Sequence, residues 1–272
     1  MSGEIQEGTS GGSSQTTRVV ARHPDPVAIR VENLHKSFGD NYVLRGIDLD
    51  FPIGTTTVIL GGSGSGKSVL MKHLIGLLRP DEGRVTVEDQ DLALLSAGDM
   101  NTFRMRFGMV FQWAALFDSM TVYENISFPL REHHRRMPEE EIAAKVREKL
   151  ELFGIAGTEE KFPADLSGGM RKRVGLARAI IMEPRIVLYD EPTTGLDPIT
   201  TSSVDDMILR AKERLKVTSV VISHDVGSAF HIADYIAFLY EGRIVAYGPP
   251  RELRASQHPF VAEFLATWFE RN

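Results

Sequence analysis

The sequence predicts an α/β fold, and three observations predict it. Short apolar strands alternate with helical spacings through the middle of the chain. One of those strands runs directly into a glycine-rich loop that opens a helix. Two further apolar runs have the unbroken hydrophobicity of strands covered on both faces of a parallel sheet. The chain has 272 residues, 42% hydrophobic and 25% charged, which is ordinary globular composition. Lys plus Arg number 31 against 37 Asp plus Glu, a formal charge of −6. That balance argues against a protein that coats nucleic acid, so no nucleic-acid partner is expected. Cysteine is absent, which excludes disulfide scaffolds, thiol catalysis and cysteine-ligated zinc or iron–sulfur centres. No apolar stretch approaches the roughly 20 residues that cross a bilayer. Residues 1–22 lack the basic-then-apolar pattern of a secretory signal. The expectation is a soluble, cytoplasmic chain that another protein must hold wherever it works at a membrane.

Residues 1–24 are rich in Gly, Ser and Thr and poor in large apolar side chains, which predicts a disordered tail. Structured sequence is expected from Val27, where Val27 to Val31 is a β-branched run. A turn at Gly39-Asp40 leads to a second strand over Val43 to Leu49, giving an antiparallel β layer at the start. Thr56 to Leu60 is a short apolar strand, and the helix after it carries Val69, Leu70, His73, Leu74, Leu77 and Leu78 at helical spacing until Pro80-Asp81-Glu82-Gly83 turns the chain. Arg106 to Val110 reads as a strand. A mainly helical stretch follows: Pro138 and three glutamates form a first turn, Ile142, Val146, Leu150 and Phe153 share a face, and Gly154 stops it. Ile186 to Tyr189 and Val217 to Ile222 are the buried parallel strands. Phe260, Phe264, Leu265, Trp268 and Phe269 lie at helical spacing over Pro259 to Asn272, a short amphipathic helix packed on its own domain or on a regulatory partner.

The strongest chemical signal is Gly61-Gly62-Ser63-Gly64-Ser65-Gly66-Lys67-Ser68, which fits G-x-x-x-x-G-K-[ST] between a strand and a helix. The glycines let backbone N–H groups turn in around a triphosphate, and the helix N-terminus adds partial positive charge. Lys67 would reach the β- and γ-phosphates, and the Ser68 hydroxyl would bind Mg²⁺. Ile186 to Glu191 is an apolar run ending in two carboxylates. Such a strand fixes acids at its C-terminal edge, where open α/β sheets bind ligands. Asp190 would hold Mg²⁺, directly or through water, and Glu191 would orient and deprotonate the attacking water. His224, just past a sheet strand, would donate to the γ-phosphate; by itself, a histidine at a strand end is structural. Leu166-Ser167-Gly168-Gly169-Met170 opens a helix with Ser167 as N-cap. Arg171, Lys172 and Arg173 in its first turn oppose the helix dipole, a local cost that a bound anion would offset.

These motifs in this order resemble the ATP-binding-cassette (ABC) ATPases from about Val27 to Val245, because a Leu-Ser-Gly-Gly element follows the phosphate loop and precedes the Asp-Glu strand. The resemblance implies a RecA-like, mainly parallel sheet core, an N-terminal antiparallel β subdomain and an inserted helical subdomain. The expected limits are a tail at 1–24, a cassette at 25–250 with the helical subdomain about 113–183, and a C-terminal helical extension at 251–272. It further implies ATP and Mg²⁺, an aromatic stack for adenine at Phe38, and a metal- and partner-sensing glutamine at Gln112. Asp197 would sit in a loop touching a second subunit, and Ser167, Gly168, Gly169 and Met170 would contact ATP held by that subunit, a second copy of the chain. Met170 departs from the glutamine common at its position, which puts only that side chain's contact in doubt.

A narrower resemblance runs over Phe111 to Val122 and Phe128 to His133. These segments are similar to the ATPase subunits of bacterial MCE-type (Mla) phospholipid transport systems. It implies phospholipid movement between inner and outer membranes, an MlaE-like integral-membrane permease, an MlaD-like MCE-domain protein and an MlaB-like STAS-domain protein. The location implied is the cytoplasmic face of the bacterial inner membrane, peripheral through the permease. A subunit of a small-solute importer, for amino acids for example, shares every ATP-site residue and stays open. A soluble DNA-repair ATPase would place long heptads between the two motifs, a tandem-cassette translation factor would need two phosphate loops, and a GTPase would carry Asn-Lys-x-Asp; the sequence has none of these.

Overall fold

A computed structural model describes residues 19–269, the side chain of Phe269 apart; the tail expected over 1–18 lies outside the described residues. In chain order the elements are β1 (Val27–Phe38), β2 (Asn41–Pro52), β3 (Thr56–Leu60), α1 (Lys67–Leu74), β4 (Glu82–Val87), β5 (Gln90–Asp91), α2 (Ala97–Arg104), β6 (Phe107–Val110), α3 (Val122–His133), α4 (Glu139–Leu152), α5 (Gly168–Ile180), β7 (Ile186–Asp190), α6 (Pro198–Leu215), β8 (Thr218–Ser223), α7 (Val226–Ile232), β9 (Tyr235–Tyr240), β10 (Arg243–Gly248), α8 (Pro250–Leu253) and α9 (Pro259–Phe269). The class is α/β, as expected. The described residues divide into two compact units: one runs to Arg104 and resumes at Thr218, and the other is Met105–Val217.

The first unit holds two β layers. Its antiparallel sheet has the order β2-β1-β4-β5. The Gly39-Asp40 turn closes the β1–β2 hairpin, pairing Phe38 with Asn41. β1 and β2 run well past the expected strands, and β4 and β5 were not expected. Arg84, Thr86 and the flanking turn residues mask β4's two buried valines, Val85 and Val87. In the second layer β3 pairs in parallel with β8 and with β9, and β10 closes antiparallel on β9. β3 and β8 are buried throughout, so both faces are covered.

Two expectations change here. The helix after the loop ends at Leu74, because Gly76 takes the left-handed conformation (φ +65°) and Leu77 is left exposed. Order also begins before residue 24: Ala21 bridges Leu49, and Arg22 reaches Asp50 Oδ1 at 2.8 Å and Asp48 Oδ1 at 3.1 Å. Asp50 is fully buried and also takes Arg30 at 3.0 Å. A buried carboxylate needs such cations, and composition averaged over the Gly/Ser-rich tail hides the segment that supplies one.

The second unit pairs β6 with β7 in parallel; α5 packs on β6, and α3, α4 and α6 pack on α5. Thr121 and Glu124 form a reciprocal capping box on α3. α4 buries Ile142, Val146 and Leu150 on the expected face, with Phe153 as C-cap and Gly154 at φ +63° beyond it; Pro138, expected within the first turn, is instead the N-cap.

Candidate active site

In the first unit the glycine-rich loop leaves the buried C-terminal end of β3 and becomes α1. The N-cap is Gly66, left-handed at φ 106°, with no side-chain cap. The leading amides of α1 therefore have no side-chain acceptor, which is the arrangement that receives an anion. A Cβ on Gly61 would stand 2.3 Å from the Leu239 carbonyl oxygen, so only glycine fits there. Gly62 and Gly64 face open space. The buried hydroxyl of Ser65 has no hydrogen-bond partner. Lys67, nearly buried, donates from Nζ to the carbonyls of Gly61 (2.8 Å) and Gly62 (3.0 Å), across the mouth of its own loop. Ser68 is exposed in the first turn. The parallel register sets Leu60 beside Ser223, so Gly61 and His224 leave the same sheet edge. His224 is exposed, and Asp225 after it caps α7 by accepting from Ser228 N at 3.1 Å. Phe38, at the tip of the β1–β2 hairpin, is 47% exposed, with Lys36 Nζ 5.5 Å from its ring centroid.

In the second unit Val110 pairs with Tyr189, which brings Gln112 and Asp190-Glu191 to one edge of the β6–β7 pair. Glu191 sits in the left-handed region at φ 50°, unusual for a side-chain-bearing residue and typical of sites where function holds strain. Thr194 Oγ1 donates to Glu191 Oε2 at 3.0 Å and fixes the carboxylate. Ser167 caps α5 by accepting from Met170 N at 3.2 Å. Asp197 caps α6, accepting from Ile199 N, Thr200 N and, at 2.5 Å, the Thr200 hydroxyl. Those donors, the hydroxyl first, hold its carboxyl below the usual range. A cleft of about 470 Å³ takes Ser167, Gly168, Gly169 and Met170 on one side and Gly195, Leu196 and Asp197 on the other. The structure thus brings the Leu-Ser-Gly-Gly element and the Asp197 loop together.

The first-turn cations of α5 all reach protein oxygens. Arg171 donates to the Leu166 carbonyl (2.6 Å), Arg173 to the Phe153 carbonyl (3.0 Å) and to Ser203 (2.7 Å), and Lys172 to the Gln112 carbonyl. Each of the three thus has at least one protein oxygen as a partner. Lys172 shows what sequence reasoning missed. It is buried, burial pulls its ammonium below the usual lysine range, and it ties α5 to the loop carrying Gln112. Arg178 repeats the tie on the next residues, donating to the Ala114 carbonyl at 2.7 Å. Ala114 and Ala115 are both left-handed, at φ 60° and 47°. The signal was present: Lys172, Leu176 and Ile180 recur every four residues on one buried stripe.

Ser68 in the first unit carries a hydroxyl, and in the second unit Gln112 carries a side-chain amide and Asp190 a carboxylate. These are hard ligands, with few carboxylates, that fit Mg²⁺.

Residues 44–194 match the family model described as ABC transporter. The chain is 44% identical over 244 residues to the "Probable ribonucleotide transport ATP-binding protein mkl" of Mycobacterium leprae, covering 90% of this chain and 70% of that one. It is 39% identical over 237 residues to the intermembrane phospholipid transport system ATP-binding protein MlaF of Haemophilus influenzae, covering 87% and 89%. A solved ATP-binding cassette, described as dimeric, post-hydrolysis and bound to ADP and Pi, superposes with a TM-score of 0.74 at 30% identity, over 82% of this chain and 99% of that one.

Proposed function

Because this chain belongs to the ABC transporter family of ATP-hydrolysing cassettes, we propose that it energises phospholipid movement between the inner and outer membranes of a bacterium, as one of two identical copies beneath an integral-membrane permease. ATP binding and hydrolysis are its chemistry. The observation that carries the chemistry is the loop at Gly61 to Ser68, with an uncapped helix start and a lysine resting on two carbonyls it can exchange for phosphate oxygens.

The residue roles in this proposal are those that the family resemblance implies. Phe38 stacks the adenine; Gly61, Gly62, Ser63, Gly64, Ser65 and Gly66 wrap the phosphates with their amides, and Lys67 binds the β- and γ-phosphates. Ser68, Gln112 and Asp190 would hold Mg²⁺, which would supply positive charge against the phosphates. Glu191 orients a water and takes its proton as the water oxygen attacks the γ-phosphorus and the bond to ADP breaks. His224 donates to a γ-phosphate oxygen. Ser167, Gly168, Gly169 and Met170 of one copy face the γ-phosphate on the other, and Asp197 touches the opposing copy. The cassette occupies about 25–250, with a helical subdomain about 113–183 and an extension at 251–272.

Trp113 (75% exposed), Phe111 and Phe117 flank Gln112 as an apolar surface suited to a permease's coupling segment. The lipid reading rests on the resemblance to MlaF along 89% of that protein's length, and extends to MCE-domain and STAS-domain partners and a peripheral place on the inner membrane's cytoplasmic face. The mycobacterial relative's name favours a second reading, ribonucleotide transport. Reconstituting the chain with an MlaE-like permease in vesicles separates the two. ATP-dependent movement of a fluorescent phospholipid that stops with Glu191→Gln supports the first; ATP-dependent ribonucleotide uptake with no lipid movement replaces it with the second.

A further inference from the structure

α9 packs on its own unit beside His224. Val261 and Leu265 are buried, while Phe260, Phe264 and Trp268 recur every four residues along one stripe. Phe260 stacks on Tyr240 with ring centroids 4.1 Å apart, and Phe264 meets Phe238 edge-on at 5.8 Å. The Trp268 indole lies against Gly227, where a Cβ would come within 2.9 Å of a ring carbon. Gly227 is three residues past His224, in the first turn of α7. His224 itself lines an open cleft of about 510 Å³ with Tyr240, Phe260, Phe264 and Trp268.

A donor to the γ-phosphate must be held within about half an ångström of its productive position. One side of the His224 turn is fixed locally: Ser223 Oγ accepts from Asp225 N at 2.9 Å, and Asp225 caps α7. α7 spans only Val226–Ile232, too short to fix its own direction. α9 supplies a wall on the glycine face of that first turn. We propose that Phe264 and Trp268 are positioning residues for His224, so that seating of the C-terminal helix sets the rate of hydrolysis without touching nucleotide. The inference rests on the assignment of His224 as γ-phosphate donor.

The test uses the full chain, comparing Trp268→Ala, Trp268→Phe, His224→Ala and the Trp268→Ala/His224→Ala double variant for kcat, KM for ATP, binding of a fluorescent ATP analogue, and Tm. Misplacing a catalytic group can slow turnover by about ten- to a hundredfold. Trp268→Ala is expected to lose about tenfold in kcat, with KM and analogue binding unchanged. Trp268→Phe recovers most of the loss, and the double variant is no slower than His224→Ala. Wild-type turnover in Trp268→Ala beside a slow His224→Ala overturns the inference, as does a double variant slowed by the product of the single effects. Wild-type turnover in His224→Ala overturns instead the role given to the histidine. If Trp268→Ala does not fold, Gly227→Ala displaces the indole from the other side and must show the same loss in kcat at unchanged KM, or the inference fails.

Discussion

Glu191 combines a left-handed backbone, a carboxylate gripped by Thr194, and a place one residue past a buried strand. Holding a glutamate there costs on the order of 1–3 kcal/mol, which the surrounding structure must offset. Glycine takes the same conformation without strain, so Glu191→Gly should abolish turnover while Tm stays at or above the wild-type value; a clear fall in Tm removes the strain argument. Glu191→Gln should keep ATP and lose about 10²-fold or more in turnover, whereas undiminished turnover strips the residue of its role. Thr194→Ala leaves the carboxylate in place but loosely aimed, and a fall in kcat without a rise in KM is the expected outcome. At this scale the sequence was most informative: Lys67, Ser68, Asp190 and Glu191 were legible because their chemistry forces a residue type at a fixed spacing from an apolar strand. The grip of Thr194 was not, since a threonine three residues downstream across a turn carries no pattern of its own.

At the scale of elements, α1 links the loop to the core through a buried histidine. His73 Nδ1 donates to the Val69 carbonyl at 2.7 Å, and the ring is buried. Burial holds the ring's pKa below its usual value. The unfolded chain therefore binds the proton first as pH falls. The stability contribution of neutral His73 is complete above the ordinary histidine pKa of about 6.5 and is lost as pH drops from there toward the depressed folded value. Tm should decline as pH falls below about 6.5, and His73→Leu should flatten that decline; an unchanged slope contradicts the assignment. The ties from Lys172 and Arg178 join α5 to the Gln112 loop. Lys172→Met strands a buried carbonyl, at a cost of about 1–3 kcal/mol, and should weaken stimulation of hydrolysis by a permease more than basal hydrolysis. Equal losses in both leave Lys172 a packing residue only. Elements with one strong period or one strong stop were legible, such as α4 and the hairpin at Gly39. β4 was not, because only two of its residues are buried, and α1 was overextended because Leu77 continues the period after Gly76 has ended the helix. Lys172 was lost because a charged residue on a buried stripe reads as solvated until its carbonyl partner is known.

For the whole molecule, no helix among the described residues is long and apolar enough to cross a membrane. The cleft formed by Ser167 to Met170 and the Asp197 loop lies in the unit that lacks the phosphate loop. We assign that cleft to the nucleotide of a second copy, so that each copy would complete the other's chemistry. The direct measurement is a mixing experiment with two inactive variants: Lys67→Ala, which keeps an intact Leu-Ser-Gly-Gly element, and Ser167→Arg, which keeps an intact phosphate loop. Each alone should be nearly inactive. Mixed, they should form pairs with one whole site and regain hydrolysis well above the sum of the two, in proportion to the mixed pairs formed. A mixture no more active than its components, under conditions where wild-type chain hydrolyses ATP, would show that no site is shared.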